Sequence, residues 1–230
     1  MSRKLTKGIV LGLLLVIPLV GTSGSNEAEK EVTIAILPCY DIVTTFKKFH
    51  PLIEYLEEQT GLDIRLAVQT DFSEFELAIN NGDVDFALQG PHTYVRLAEL
   101  YDKVSLIRSL TLEGTTSHRG VVIARKDSGI KTVEDLKGKT VMFGPKQSIA
   151  KWVAAKILLE KEGIDLEEDL HSYNNGGCCE DIAFNVYLKA FDAGVVCDHF
   201  VEEHPESKKE LGLVIDEIVI IGETDLVPAR

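Results

Sequence analysis

The chain is 230 residues long, 45% hydrophobic and 27% charged, with a formal net charge of −13. This composition is ordinary for a folded globular protein. The acidic balance argues against a nucleic-acid backbone as partner, because no Lys/Arg run lies outside the N-terminus to neutralise phosphates. Small anions stay open as ligands, since local N–H groups and hydroxyls decide their binding.

Ser2, Arg3, Lys4 and Lys7 make a basic start, residues 9–20 form an apolar stretch, and Gly21 to Ser25 are all small. That apolar stretch is shorter than the roughly 20 residues that span a bilayer, so residues 1–25 read as a cleaved signal peptide, with a retained N-terminal anchor as the blander alternative. No cysteine stands near the cleavage point to carry a lipid (there is no lipobox), and the expected location is the periplasm. Four cysteines, Cys39, Cys178, Cys179 and Cys197, then sit in an oxidising compartment that permits disulfides. Their spacing fits no metal finger, and neither a metal nor a cofactor is expected.

Residues 31–38 predict a buried strand ending at Pro38, followed by Cys39, Tyr40 and Asp41 in a loop. Phe46, Phe49, Leu52, Ile53 and Leu56 make one apolar face of a helix over 46–59, stopped by Gly61. A strand over 63–68, a helix over 74–80 capped from Thr70 to Ser73, a strand over 84–88 and a helix reaching Leu100 complete a β-α-β-α-β-α pattern. Such alternation predicts a parallel α/β lobe with its loops at the carboxyl ends of the strands. A strand over 104–110 leads to the polar run 113–118, which reads as a crossover to a second lobe. That lobe takes a strand over 121–124, a short helix over 132–139 and a strand over 140–143. The apolar, β-branched run 213–221 predicts a strand returning to the first lobe. The expected organisation is lobe 1 over 30–112 plus 213–230 and lobe 2 over 113–212.

Two glycine turns in the second half carry the functional signal. Gly144-Pro145-Lys146-Gln147-Ser148 follows a strand and precedes a helix over 149–162; Gly176-Gly177-Cys178-Cys179-Glu180 precedes a helix over 181–189 and a strand over 193–197. In each, the first N–H groups of the helix leave the turn unpaired, and the helix dipole adds partial positive charge. Two such turns facing one cleft make an anion receptor.

The run Asp83-Val84-Asp85-Phe86-Ala87-Leu88-Gln89-Gly90-Pro91-His92-Thr93-Tyr94-Val95 resembles a "VDxAxxGPxxYV" segment of the phosphate/phosphite/phosphonate-binding proteins of ABC transporters. Arg125 to Ile130 and Glu134 to Lys139 resemble that family's "R-x-DSGI" and "DLKGK" segments, so the likeness covers about residues 32–230. It implies a two-lobe α/β periplasmic binding protein fold, each lobe a mostly parallel sheet flanked by helices, with the ligand cleft between lobes. Members of that family continue for several helices past the point matching Arg230, so the chain reads as either a fragment or a short version.

Carried over by position, the family's Ser/Thr turn falls on residues 144–148, where Ser148 keeps a hydroxyl and Lys146 and Gln147 add a cation and an amide. The motif tyrosine falls on Tyr94, and Tyr40 occupies the loop where another aromatic hydroxyl is usual. Cys179 stands where the family has a ligand histidine, and Asp192 matches the family's aspartate. The resemblance thus implies an exported solute-binding protein that captures phosphate, phosphonate, phosphite or arsenate/arsenite for an ABC transporter permease or a membrane sensor kinase. Its expected ligand set is Tyr40, His92, Tyr94, Lys146, Gln147, Ser148, Cys178, Cys179, Glu180 and Asp192. An arsenic-oxyanion sensor variant suits the loss of the histidine to a thiol.

Blander roles stand beside these. Ser148 is also an ordinary N-cap, Tyr94 a packing residue and Asp192 a capping group. Cys178 or Cys179 can pair with Cys197 in a disulfide, pack as a small hydrophobe, or bond a thiophilic ligand. His92 and, more weakly, His118 can donate to an anion, whereas His50, His171, His199 and His204 read as surface residues and Trp152 as core. The rival function is an exported enzyme with Cys179 as nucleophile and His92 or His199 as base.

Overall fold

The computed structural model of the chain describes residues 31–100, 110, 114–202 and 215–229. The expected signal peptide, most of the strand expected over 104–110 and residues 203–214 lie outside them. Among the described residues no helix is long and apolar enough to cross a membrane.

The first lobe is built from β1 (Val32–Ile36), α1 (Ile42–Thr60), β2 (Ile64–Val68), α2 (Phe72–Asn81), β3 (Phe86–Leu88) and α3 (Pro91–Arg96). Its strands form a parallel sheet in the order β2-β1-β3, with Ile34 opposite both Leu66 and Phe86. Ala35, Leu37, Phe75, Ile79 and Leu97 make its core. Helix α1 starts four residues earlier than its apolar periodicity suggests, because the Asp41 carboxylate accepts from the N–H of Thr44 and caps it there. It ends as expected at Gly61, whose φ of 69° supplies the left-handed cap.

The second lobe holds β5 (Gly120–Arg125), β6 (Thr140–Phe143), a π-helical turn (Ile149–Ala154) running into α4 (Ala155–Lys161), β7 (Ser172–Asn175), α5 (Cys179–Tyr187), β8 (Ala193–Cys197), α6 (Asp198–Glu202) and β9 (Ile218–Glu223). Its sheet runs β7-β6-β8-β5-β9, with β7, β6 and β8 parallel and β5 antiparallel to both β8 and β9. Alternate residues of β5 serve the two faces: Val122 and Ala124 join Val141, Phe143, Leu136 and Leu159, while Val121 and Ile123 join Met142, Ile182 and Val196. Central strands covered on both sides are apolar throughout, as all five residues of β8 are buried.

Three sequence expectations change here. The return of residues 213–221 to the first lobe is not met in their described part: β9 pairs with β5 in the five-stranded sheet. A β-branched run specifies a strand but not its neighbour. Residues 132–139 form only a short 3₁₀ turn, Glu134–Leu136, because the Asp135 carboxylate accepts from the N–H groups of Lys131 and Thr132 and holds the chain in a turn. Strand β7 had no sequence signal, since Ser-Tyr-Asn-Asn is polar and forms the sheet edge. The chain then comes back to the crossover, where β10 (Val227–Pro228) pairs antiparallel with β4 (Ser117–His118).

Candidate functional site

Parallel strands place their following loops on one side, and this chain uses that rule twice. In the first lobe the carboxyl ends of β1, β2 and β3 release Leu37 to Asp41, Thr70 to Phe72, and Gly90 with Pro91. In the second, β6 and β7 run parallel with Phe143 opposite Asn175, so both glycine turns emerge side by side. Strand β8 ends at the same edge in Cys197, and antiparallel β5 begins there with Gly120 opposite Cys197. These loops line one cleft of about 830 Å³ between the two sheets.

The two turns are tied together. Asn175 Nδ2 donates to the Gly144 carbonyl at 3.1 Å, and the Gly176 N–H donates to the Phe143 carbonyl at 3.0 Å. Ser148 caps the first helix, its Oγ accepting from the Lys151 N–H at 3.2 Å. The Ser148 carbonyl accepts from both Trp152 and Val153, at 3.1 and 3.3 Å, which gives the turn its π geometry. In the second turn the Asp181 carboxylate accepts from the N–H and the thiol of Cys178, at 3.2 and 3.3 Å.

Beneath the turns lies Lys151, only 7% exposed. Its Nζ donates to the Gly177 carbonyl at 3.3 Å. Gly144 makes room for this stem, since a Cβ there would stand 2.5 Å from the Lys151 Cβ. A lysine in the first turn of a helix opposes the helix dipole, and burying a charge is costly without partners. Burial by itself lowers the Lys151 pKa; the four cysteines around it, Cys179 first, more than offset this and raise it. An ammonium has three donors, and one is used among the described hydrogen bonds.

All four cysteines line the cleft, and none of them is bridged in a disulfide. The alternative of a disulfide to Cys197 is therefore not what the structure contains. The Cys179 Sγ instead accepts from the Cys197 N–H at 3.3 Å, and contact with the Cys197 thiol pulls the Cys179 pKa down against its burial, helped by Lys151. Burial pushes the Cys178 thiol up. Next to Cys179, His118, Cys197 and His199 bring their ligand atoms within 4.8 Å of one another.

A family model described as "ABC transporter, phosphonate, periplasmic substrate-binding protein" matches residues 34–230. The chain belongs to this family. Among curated relatives it is 28% identical over 167 residues to the tetrathionate sensor histidine kinase TtrS of Salmonella typhimurium, covering 71% of this chain and 28% of the relative. It is 26% identical over 136 residues to the phosphate-import protein PhnD of Mycolicibacterium smegmatis, covering 58% of this chain and 42% of the relative. The chain thus spans less than half the length of these two relatives. Solved structures with the same fold include a binding protein of an ABC phosphonate transporter from Pseudomonas aeruginosa (TM-score 0.74, 17% identity, 87% of this chain and 67% of the other). Another is PhnD1 of Prochlorococcus marinus in complex with methylphosphonate (TM-score 0.74, 14% identity, 87% and 73%). The two-lobe binding-protein fold is the family's.

Within that family cleft the structure places Tyr40, Lys146, Gln147, Ser148, Cys178 and Cys179 among the lining residues. Tyr94, His92, Glu180 and Asp192 are not among them. Tyr94 and His92 lie in the six-residue α3, of which only Pro91 reaches the cleft. The Nδ1 of His92 and Oε2 of Glu180 are buried without a hydrogen-bond partner among the described residues. Asp192 sits at the opposite end of the sheet, where its Oδ2 accepts from the N–H and hydroxyl of Thr140 at 2.8 and 2.9 Å and fixes the start of β6.

Sequence reasoning missed Lys151 and His199 as lining residues and gave His118 only a weak claim on an anion. Lys151 carries a signal in retrospect, as a lysine three residues after a cap in an otherwise apolar turn. His199 reads as a surface residue but lines the cleft, and His118 joins it from 81 positions away with no local spacing to announce the pair.

Proposed function

We propose that this chain captures a small tetrahedral oxyanion in the cleft between its lobes and delivers or reports it to a membrane partner, an ABC transporter permease or a sensor kinase. The observation that carries this reading is the convergence of the Ser148-capped turn, the 176–178 turn and the buried Lys151 on one floor. Backbone N–H groups, a hydroxyl and an ammonium are the donors an oxyanion needs. Asp41 and Asp71 also line the cleft, but their carboxylates are engaged in capping α1 and α2. A cleft of about 830 Å³ exceeds one such anion, so tight capture requires the lobes to close. Phosphate and methylphosphonate lead as ligands, on the family and on the names of its members above.

The lining of four thiols outside any disulfide favours a second reading, capture of a thiophilic species. Arsenite, which bonds thiolates, and tetrathionate, the sulfur oxyanion in one relative's name, are its test ligands. The rival enzyme with a Cys179 nucleophile has less support: of its two candidate bases His199 lines the cleft but His92 does not, and Cys179 is buried against Cys197.

Calorimetric titration of the chain with phosphate, methylphosphonate, phosphite, arsenate, arsenite and tetrathionate, with and without reductant, tests the proposal. Saturable binding of a phosphorus oxyanion that ignores reductant supports the first reading. Binding of arsenite only under reduction, or of tetrathionate only to free thiols, supports the second. A chain that binds none of the six overturns both.

A further inference from the structure

Beside the second glycine turn, the cleft holds a group that oxyanion capture does not use. His118 ends β4, Cys197 ends β8 and His199 is the second residue of α6, three positions that the β5–β8 pairing brings to one sheet edge. Each residue offers a ligand atom, and these atoms all lie within 4.8 Å of one another. The imidazoles face each other with ring centroids 6.1 Å apart and planes inclined at 33°. Cys197 is 7% exposed, while both histidines are only partly covered.

We infer that His118, Cys197 and His199 form a three-ligand site for a d10 metal ion of the zinc(II) class. Two imidazoles and a thiolate are the donor types zinc prefers, and a three-ligand set leaves a fourth tetrahedral position. That position opens on the cleft, because all three residues line it. Bonds of roughly 2.0 Å to nitrogen and 2.3 Å to sulfur place ligand atoms about 3.3–3.8 Å apart, so the side chains draw in by about 1 Å on loading. One thiolate and two neutral imidazoles leave a bound Zn²⁺ with one positive charge, and the open position takes water or an anionic group.

The surroundings fit a metal-bearing pair of histidines. Asp198 lies between them in sequence, its Oδ1 4.0 Å from the Nδ1 of His118 and 3.8 Å from that of His199. Its other oxygen accepts from the Arg119 N–H at 2.9 Å, which holds the carboxylate in place. A carboxylate beside ligating histidines orients their rings and raises their basicity. The thiol of Cys179, whose sulfur accepts from the Cys197 N–H, stands next to the set. The inference does not depend on which oxyanion the cleft takes.

The test is titration of the reduced, metal-free full chain with Zn²⁺ by calorimetry, and with Co²⁺ by absorption. The expected result is one equivalent bound, with a thiolate-to-cobalt charge-transfer band and tetrahedral d–d bands. His118→Ala and His199→Ala should each weaken Zn²⁺ binding at least tenfold, and Cys197→Ser should abolish the charge-transfer band. The histidine variants change partly exposed side chains and keep the fold, so the test stands even if Cys197→Ser fails to fold. Absence of stoichiometric binding overturns the site. So does binding that both histidine variants leave unchanged, since the metal would then sit on other cysteines. Neither outcome bears on oxyanion affinity, which is measured in metal-free buffer.

Discussion

The Nζ of Lys151 donates to the carbonyl of Gly177 at 3.3 Å, and so links the helix that follows one glycine turn to the backbone of the other. A single buried cation thereby serves both donor loops of the cleft floor. Lys151→Met keeps the stem and removes the charge. A hydrogen bond to a charged group is worth about 1.5–3 kcal/mol, so oxyanion affinity should fall by roughly 10- to 100-fold. Stability should fall as well, because the raised Lys151 pKa means the folded state favours the ammonium and the variant strands the Gly177 carbonyl. Calorimetry and thermal unfolding on the same variant separate the two effects, and unchanged affinity would remove Lys151 from the binding floor.

Ser148 and Tyr94, which the family motif treats alike, part company in the structure. Ser148 lines the cleft and caps the helix; Tyr94 does not line it. Ser148→Ala should lower stability by about 1 kcal/mol through the lost cap and weaken oxyanion binding as well. Tyr94→Phe should leave the dissociation constant within error of the parent. A Tyr94→Phe chain that binds markedly worse would show that closure brings α3 onto the ligand.

Asp192 is expected to answer to stability alone. Its carboxylate accepts two hydrogen bonds from Thr140 at the end of β6 remote from the cleft. Asp192→Ala leaves a partly buried N–H and hydroxyl unpaired, which costs about 1–3 kcal/mol. Denaturant unfolding should register that loss while ligand titration curves superimpose on the parent's.

Asp127 makes stability depend on pH. Arg125 grips its carboxylate through Nε and Nη2 at 2.8 and 2.7 Å, and Lys189 Nζ stands at 3.3 Å. The Arg125 hydrogen bond, then that of Lys189, hold its pKa down at about 2 rather than 3.8. A depressed folded-state pKa contributes stability above the unfolded value and loses it as pH falls through the folded one. The group is solvent-exposed, so the contribution is small. Asp127→Asn should melt slightly below the parent at pH 6, and the gap should close as pH falls from about 4 to 2. A gap that persists at pH 2 would assign the effect to packing instead.

Much of the architecture was legible because period and punctuation agree. The β-α alternation of residues 31–100, the glycine stop at Gly61 and the apolar run of β8 all follow from local chemistry. What escaped was relational. The run 218–223 announces a strand, yet only the packing of Gly222 beside Val133 and the pairing with β5 decide which sheet receives it. The two anion-type turns were readable from glycine followed by a helix. Lys151 was not, because an isolated lysine in a helix ordinarily reads as a solvated face. His118 and His199 meet through an antiparallel pairing that joins distant segments, and no window of sequence contains both.

The π turn over Ile149–Ala154 sets the rotational register of everything after it. Such a turn holds one residue more than an α turn, and each helical residue rotates the chain by about 100°. Deleting Val153, which is exposed, would let the segment relax to ordinary α geometry with its backbone bonds intact. The downstream face of Ala155 and Leu159 is anchored in the core, so the rotation would fall on the upstream side and swing the lysine off the floor of the cleft. One extra residue in a single turn is thus the setting that aims the cation.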